Sequence, residues 1–142
     1  MRVRRTPNPP RRGVQAVEAA IVLPVVMMLI LGTCSTAMGV YYYQLVATLA
    51  REGARYASVH GTQYAADTGN SAATSADIYN NAILPMAVGL TPSHLIYSVT
   101  WNATNSPYNN SVSVTVTYQW TPDLYITGPL YLTSTSRMPM SY

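Results

Sequence analysis

The chain has no lysine, no phenylalanine and a single cysteine, and charged residues make up only 9% of it, against about a quarter in ordinary soluble domains. One cysteine, Cys34, excludes an intrachain disulfide and any multi-cysteine metal site. Inside an apolar run it reads as a small hydrophobe. The two histidines, His60 and His94, lack HExxH or related ligand spacing and read as polar-surface residues, so no metal is expected. No GxSxG, P-loop or dinucleotide glycine motif occurs. Asp67, Asp77 and Asp123 stand apart in sequence, which gives no support to an acid–base pair. An enzyme is not expected, nor a cofactor or a small-molecule substrate.

What charge there is falls in one place. The net charge is +3, but Arg2, Arg4, Arg5, Arg11 and Arg12 crowd the start. Beyond Glu18 the arginines Arg51, Arg55 and Arg137 face Glu52, Asp67, Asp77 and Asp123, so the rest is near neutral. A nucleic-acid footprint needs a basic face on a folded domain, and none is evident. Five arginines beside an apolar run read as the cytoplasmic flank of a membrane helix.

Ala19 to Val40 carries no charge, and about 20 such residues span a bilayer core. Tyr41, Tyr42 and Tyr43 follow, as an interfacial aromatic belt does. Helix formers continue to Val59, and Gly61 is a plausible stop. One helix is therefore expected over 14–60, with its membrane span at about 19–43. It is long enough to protrude and pack on a domain or on neighbouring subunits. Glu18, at the mouth of the run, is costly in lipid and should have a partner. Pro24 removes a backbone hydrogen bond inside the helix; it is either a tolerated membrane proline or a flexible point for leaving the bilayer. Gly32 with Thr36, Ser35 with Gly39, and Ala50 with Ala54 suit close helix–helix approach. Arg51 and Arg55 share a face, and Glu52 offsets their repulsion. The turn Arg51, Glu52, Arg55, Tyr56 is either a solvated face or a docking patch for an assembly partner.

Residues 61–76 are rich in Gly, Ala, Ser and Thr and read as a linker. Asp77 to Leu90 reads as a short helix weakened by Pro85. Period-two alternation then marks strands. Leu95, Tyr97, Val99 and Trp101 form one face of the first; Val112, Val114, Val116, Tyr118 and Trp120 form one face of the second. A polar turn, 102–110, lies between them, and 130–138 reads as a third strand. The expected fold is α+β: a long N-terminal helix packed on a small antiparallel sheet, residues 77–142 forming an exported domain. Leu45, Val46, Leu49 and Tyr56 are the residues that either cover the sheet or face other subunits.

Taken together, Arg11-Arg12-Gly13, Glu18 five residues on, Leu23-Pro24 in the apolar run and Ala50-Arg51-Glu52-Gly53-Ala54-Arg55-Tyr56-Ala57 resemble the TadE-like pseudopilins of tight-adherence (type IVc) pilus systems. The resemblance covers Arg12 to about Gly61. It implies a basic leader, residues 1–13, cut between Gly13 and Val14 by a membrane prepilin peptidase, with Glu18 pairing the freed amino group of a neighbouring subunit. It implies other pilin or pseudopilin subunits, pilus assembly proteins and the lipid bilayer as partners. It also implies a bacterial inner-membrane location, single-pass, with the N-terminus cytoplasmic. Ala19 departs from the tyrosine common after this glutamate in the class, which leans toward a pseudopilin or minor pilin. The rival is a periplasmic binding module on an uncleaved anchor, or on a lipid at Cys34, where Leu31-Gly32-Thr33-Cys34 faintly resembles a lipobox.

Overall fold

The structure, a computed structural model, describes residues 12–102, 110–122 and 128–140. The leader up to Arg11, most of the polar turn before Asn110, and Asp123 lie outside the described residues. Among them the chain is α+β: one long helix and a three-stranded antiparallel sheet.

Helix α1, Arg12–Val59, runs 48 residues, about 72 Å at 1.5 Å per residue. Pro24 is the only proline inside it, and the helix continues unbroken on both sides. The missing N–H of Pro24 leaves the Ala20 carbonyl without its usual donor. Thr33 and Thr36 satisfy their hydroxyls on the helix backbone: Thr33 Oγ1 lies 2.8 Å from the Ile30 carbonyl, and Thr36 Oγ1 2.8 Å from that of Gly32. Such back-bonding lets hydroxyls sit in an apolar setting.

The stretch 61–76, read as a linker, carries helix α2, Thr62–Thr68. It ends where Gly69 takes a left-handed φ of 73° and donates to the Ala65 carbonyl, a conformation glycine adopts without penalty. The Ala73 N–H, 3.0 Å from the His60 carbonyl, ties this segment back to the end of α1. Helix α3, Ser75–Ile78, opens on a capping box: the Thr74 hydroxyl accepts from the Asp77 N–H while the Asp77 carboxylate accepts from the Thr74 N–H. The path continues as a π turn, Tyr79–Ile83, and a 3₁₀ turn, Leu84–Met86. Pro85 cannot donate to Asn81, and the winding departs from α around it. Another 3₁₀ turn, Pro92–His94, leads into the sheet.

The sheet is a meander of β1 (Leu95–Asn102), β2 (Ser111–Trp120) and β3 (Leu130–Pro139) in the order β1-β2-β3. Thr115 of β2 stands opposite both Ser98 of β1 and Thr135 of β3. The alternation of β2 sorts its two faces. Val112, Val114 and Val116 are fully buried against α1, while Ser113, Thr115 and Thr117 turn the other way. Val46, Leu49, Ala50, Ala54 and Ala57 of α1 meet them, with Ile78 and Ile83 closing the side. Fully burying a side chain of the size of Leu49 or Ile83 contributes about 1.5–3 kcal/mol. Leu45 and Tyr56 are half-buried on the same core. Of the two possibilities for the apolar side of this part of α1, the structure takes the covered sheet.

The strands lie along α1. At one end Trp120 rests on Gly39; in the middle Val114 meets Gly53; at the other, Trp101, Asn110 and Met140 line one pocket with Gly61. β1 and β3 therefore both run away from the apolar half of α1, and β2 runs back toward it.

Candidate membrane anchor and assembly surface

The first half of α1 touches almost nothing. From Val14 to Leu31 its side chains are exposed, and its most apolar window has a mean hydropathy of 2.3 with none of it buried in the fold. An amphipathic surface helix buries one stripe; this one is apolar all round and bare. By length and composition it can cross a membrane. The stretch 13–38 is about 39 Å long at 1.5 Å per residue, against a hydrocarbon core of about 30 Å.

Gly13 stands in the first turn, and a Cβ there would meet nothing within 4 Å. No contact in the fold asks for a glycine at that position. Val14 is exposed next to it. Glu18 is exposed one turn further on, and among the described residues it has no hydrogen-bond or ion-pair partner. Pro24 lies on the bare stretch, far from the sheet. The fold thus leaves Gly13, Val14, Glu18 and Pro24 on one accessible rod and gives none of them an internal task.

The turn around Arg55 is different. Arg55 holds Glu52 through both Nε and Nη2, each 3.0 Å from Oε2, with the arginine side chain 72% exposed. An ion pair so exposed contributes little to stability. Arg51 points to solvent. Tyr56 is half-buried, its ring stacked on His60 at 4.1 Å. His60 meets Tyr64 edge-on at 4.8 Å, and its Nδ1 lies 3.0 Å from the Tyr56 carbonyl. Asn81 donates to the Tyr56 hydroxyl at 3.4 Å. Glu52, Arg55, Tyr56, His60 and Asn81, with Val59, Ala82 and Met86, line an open hollow of about 370 Å³. His60, read from sequence as a surface histidine, is half-buried between two tyrosines. The structure brings Glu52, Arg55 and Tyr56 to this hollow and leaves Arg51 outside its lining.

Of the small-residue pairs, Ala50 and Ala54 are fully buried beneath the molecule's own sheet, which corrects their reading as a contact between helices. Gly53 belongs with them: a Cβ there would stand 3.1 Å from Val114 Cγ1 and 3.3 Å from Ile83 Cδ1. Small side chains on this face let β2 approach the helix backbone.

Two residues that the sequence did not single out as a pair, Gly39 and Trp120, form the lower seat of the domain. A Cβ on Gly39 would lie 2.8 Å from Trp120 Cζ3. Tyr42 stands 6.0 Å from Trp120 and 5.7 Å from Tyr118, ring centre to ring centre. Below them Gly32, Ser35, Thr36 and Val40 face Leu130 and Leu132 across an apolar groove of about 570 Å³. Tryptophan and tyrosine gathered where a bare apolar helix enters a domain suit a membrane–water boundary. The pairing of Ser35 with Gly39 at spacing four marked this face; its partner Trp120, 81 positions from Gly39 in sequence, was not marked.

Residues 13–55 match the model of a family described as TadE-like protein. No curated protein and no solved structure matches the chain.

Proposed function

We propose that this chain, TadE-like over residues 13–55, is a minor pilin or pseudopilin of a tight-adherence type IV pilus or a related secretion assembly. The family is a structural, pilus-associated one, and the chain acts by packing helices, not by turnover. The observation that carries the reading is the bare apolar half of α1, with a carboxylate near its start, Glu18, that has no partner among the described residues. A buried or lipid-exposed charge without a partner is expensive. A neighbouring copy freed of residues 1–13 would offer one: the α-amino group of its Val14.

In this reading a prepilin peptidase cuts after Gly13, whose missing side chain no fold contact requires. The single span holds the domain on the far side of the bacterial inner membrane, leader inward. Glu18 neutralises the amino terminus of the next subunit inside the apolar bundle. Pro24 loosens the rod where a subunit must leave the bilayer. The hollow beside Arg55 and Tyr56 receives an assembly protein.

The test is the mass of the protein extracted from membranes of cells with and without an active prepilin peptidase. A product beginning at Val14 only in the former is expected, and Gly13→Leu should keep the leader attached. An intact leader in the presence of the active peptidase overturns the reading. Glu18→Ala should still be cut and inserted yet fail to co-purify with other subunits.

A further inference from the structure

The two edges of the sheet carry an inference that rests on the reading above, that copies of this chain assemble in one membrane. We propose that they join edge to edge, β1 of one copy pairing in parallel with β3 of the next, so that a single sheet runs across neighbouring subunits.

Neither edge strand has a second strand partner among the described residues; α1 packs on the covered face of β2 and β3 and leaves β1 largely clear. Every second residue of either edge strand therefore turns its N–H and C=O outward. Monomeric proteins guard such edges with charge, proline or a bulge. β1 has none of these: its eight residues contain no charged residue and no proline, and its register with β2 is continuous. β3 runs ten paired residues without a bulge and carries Arg137 and Pro139 only near its far end. Ile96 and Tyr131, more than half exposed, stand on these same strands.

Polarity decides which edges meet. Copies anchored through α1 in one membrane stand the same way up. β1 and β3 both run away from the anchor, so any edge pairing between upright copies is parallel. The antiparallel two-fold pairing of β1 with β1 would invert one copy and is excluded. A parallel pairing of like edges places the joint sheet between the two α1 helices. Pairing of β1 with β3 keeps every α1 on one side of the sheet, where the bare apolar halves can share one bundle.

The side chains on the open face agree. Thr115 and Thr135 share a hydrogen bond of 2.8 Å, and Thr117 and Thr133 one of 3.0 Å. Ser98 lies level with Thr135, both opposite Thr115, and Ile96 lies level with Thr133. Setting Ser98 of one copy beside Thr135 of the next continues the hydroxyl row from subunit to subunit. Any vertical offset between copies must be an even number of residues, because an odd one sends the core face of the strand outward.

The test uses full-length protein in membranes, with Cys34→Ser removing the native thiol and two differently tagged copies expressed together. Ser98→Cys in one copy and Thr135→Cys in the other should form a mixed dimer under mild oxidation. With a staggered register, Thr133→Cys or Arg137→Cys takes the place of Thr135→Cys. Both substitutions in one chain should give a ladder of higher species, and Ser134→Cys, on the covered face, should stay monomeric. Ser98→Cys linking to itself while the mixed pair stays silent would overturn the proposal. So would silence of every edge pair when Val22→Cys, on the bare rod, still links copies; assembly then proceeds through helices alone. Silence of Val22→Cys as well would remove the subunit reading together with the edges.

Discussion

Two glycines of α1 matter through what stands next to them. At Gly53 an alanine gains about 1 kcal/mol of helix propensity, but its Cβ would press on Val114 at 3.1 Å and on Ile83. These opposing terms should leave Gly53→Ala within about 1 kcal/mol of the parent. Gly53→Leu has no room and should destabilise by about 1–3 kcal/mol. Chemical unfolding of the detergent-solubilised protein measures both; a neutral leucine would mean that β2 does not approach the helix this closely. Gly39 differs in kind, because the atom it meets is the far edge of the Trp120 ring, which can swing away. Gly39→Ala should displace the ring and not unfold the domain. In a Trp101→Phe background Trp120 is the sole reporter, and its emission should shift to the red as the ring leaves its seat beside Tyr42.

At the scale of elements, α1 is two helices in function: a bare half and a half that completes a core. Leu49→Ala should cost about 2–5 kcal/mol, since Leu49 is fully buried. Leu29→Ala, on the bare half, should leave the unfolding of the domain unchanged. Helix α3 adds a pH dependence. The Thr74 side chain, then its backbone N–H, hold the Asp77 carboxyl below its ordinary pKa by hydrogen-bonding the ionised form. The contribution is therefore present above the ordinary aspartate range and disappears as pH falls through the lowered value. The difference in melting temperature between the parent and Asp77→Asn should shrink over that acidic interval and be constant at neutral pH.

Much of this was legible before the fold was known, for reasons that are local. Val112, Val114 and Val116 alternate with hydroxyl residues, which marks a strand with one covered face. The uncharged run and the helix formers after it mark α1. Helix α2 was not legible, because its seven residues carry no apolar period, and its clearest device is the left-handed stop at Gly69. Ala50 and Ala54 were legible as a close-approach face but not as to partner: spacing four serves a neighbouring helix and a covering sheet equally. Gly13 and Glu18 carry the roles that the family resemblance implies, cleavage and pairing; the fold leaves both exposed and tests neither role. The hollow at Tyr56 and His60 joins side chains from α1 and the turn at Asn81, a contact no local period encodes.

At the scale of the whole molecule, the core begins at Val46, with Tyr42 and Leu45 packed on its lower edge. Among the described residues every side chain from Val14 to Leu31 is exposed, so the anchor and the domain are separable. A chain starting at Tyr41 should lose the need for detergent, fold with the same sheet and give a single cooperative melt in water. One starting at Val59 lacks the cover of β2, leaves three buried valines facing solvent and should not fold. Circular dichroism and size-exclusion chromatography of the two separate these outcomes. The soluble form also divides the two modes of assembly: it keeps both sheet edges and has lost the rod. If the edges alone joined copies strongly it would form long oligomers in solution. The expected monomer at micromolar concentration means that the membrane, by holding copies upright and side by side, supplies the local concentration and orientation that parallel edge pairing requires.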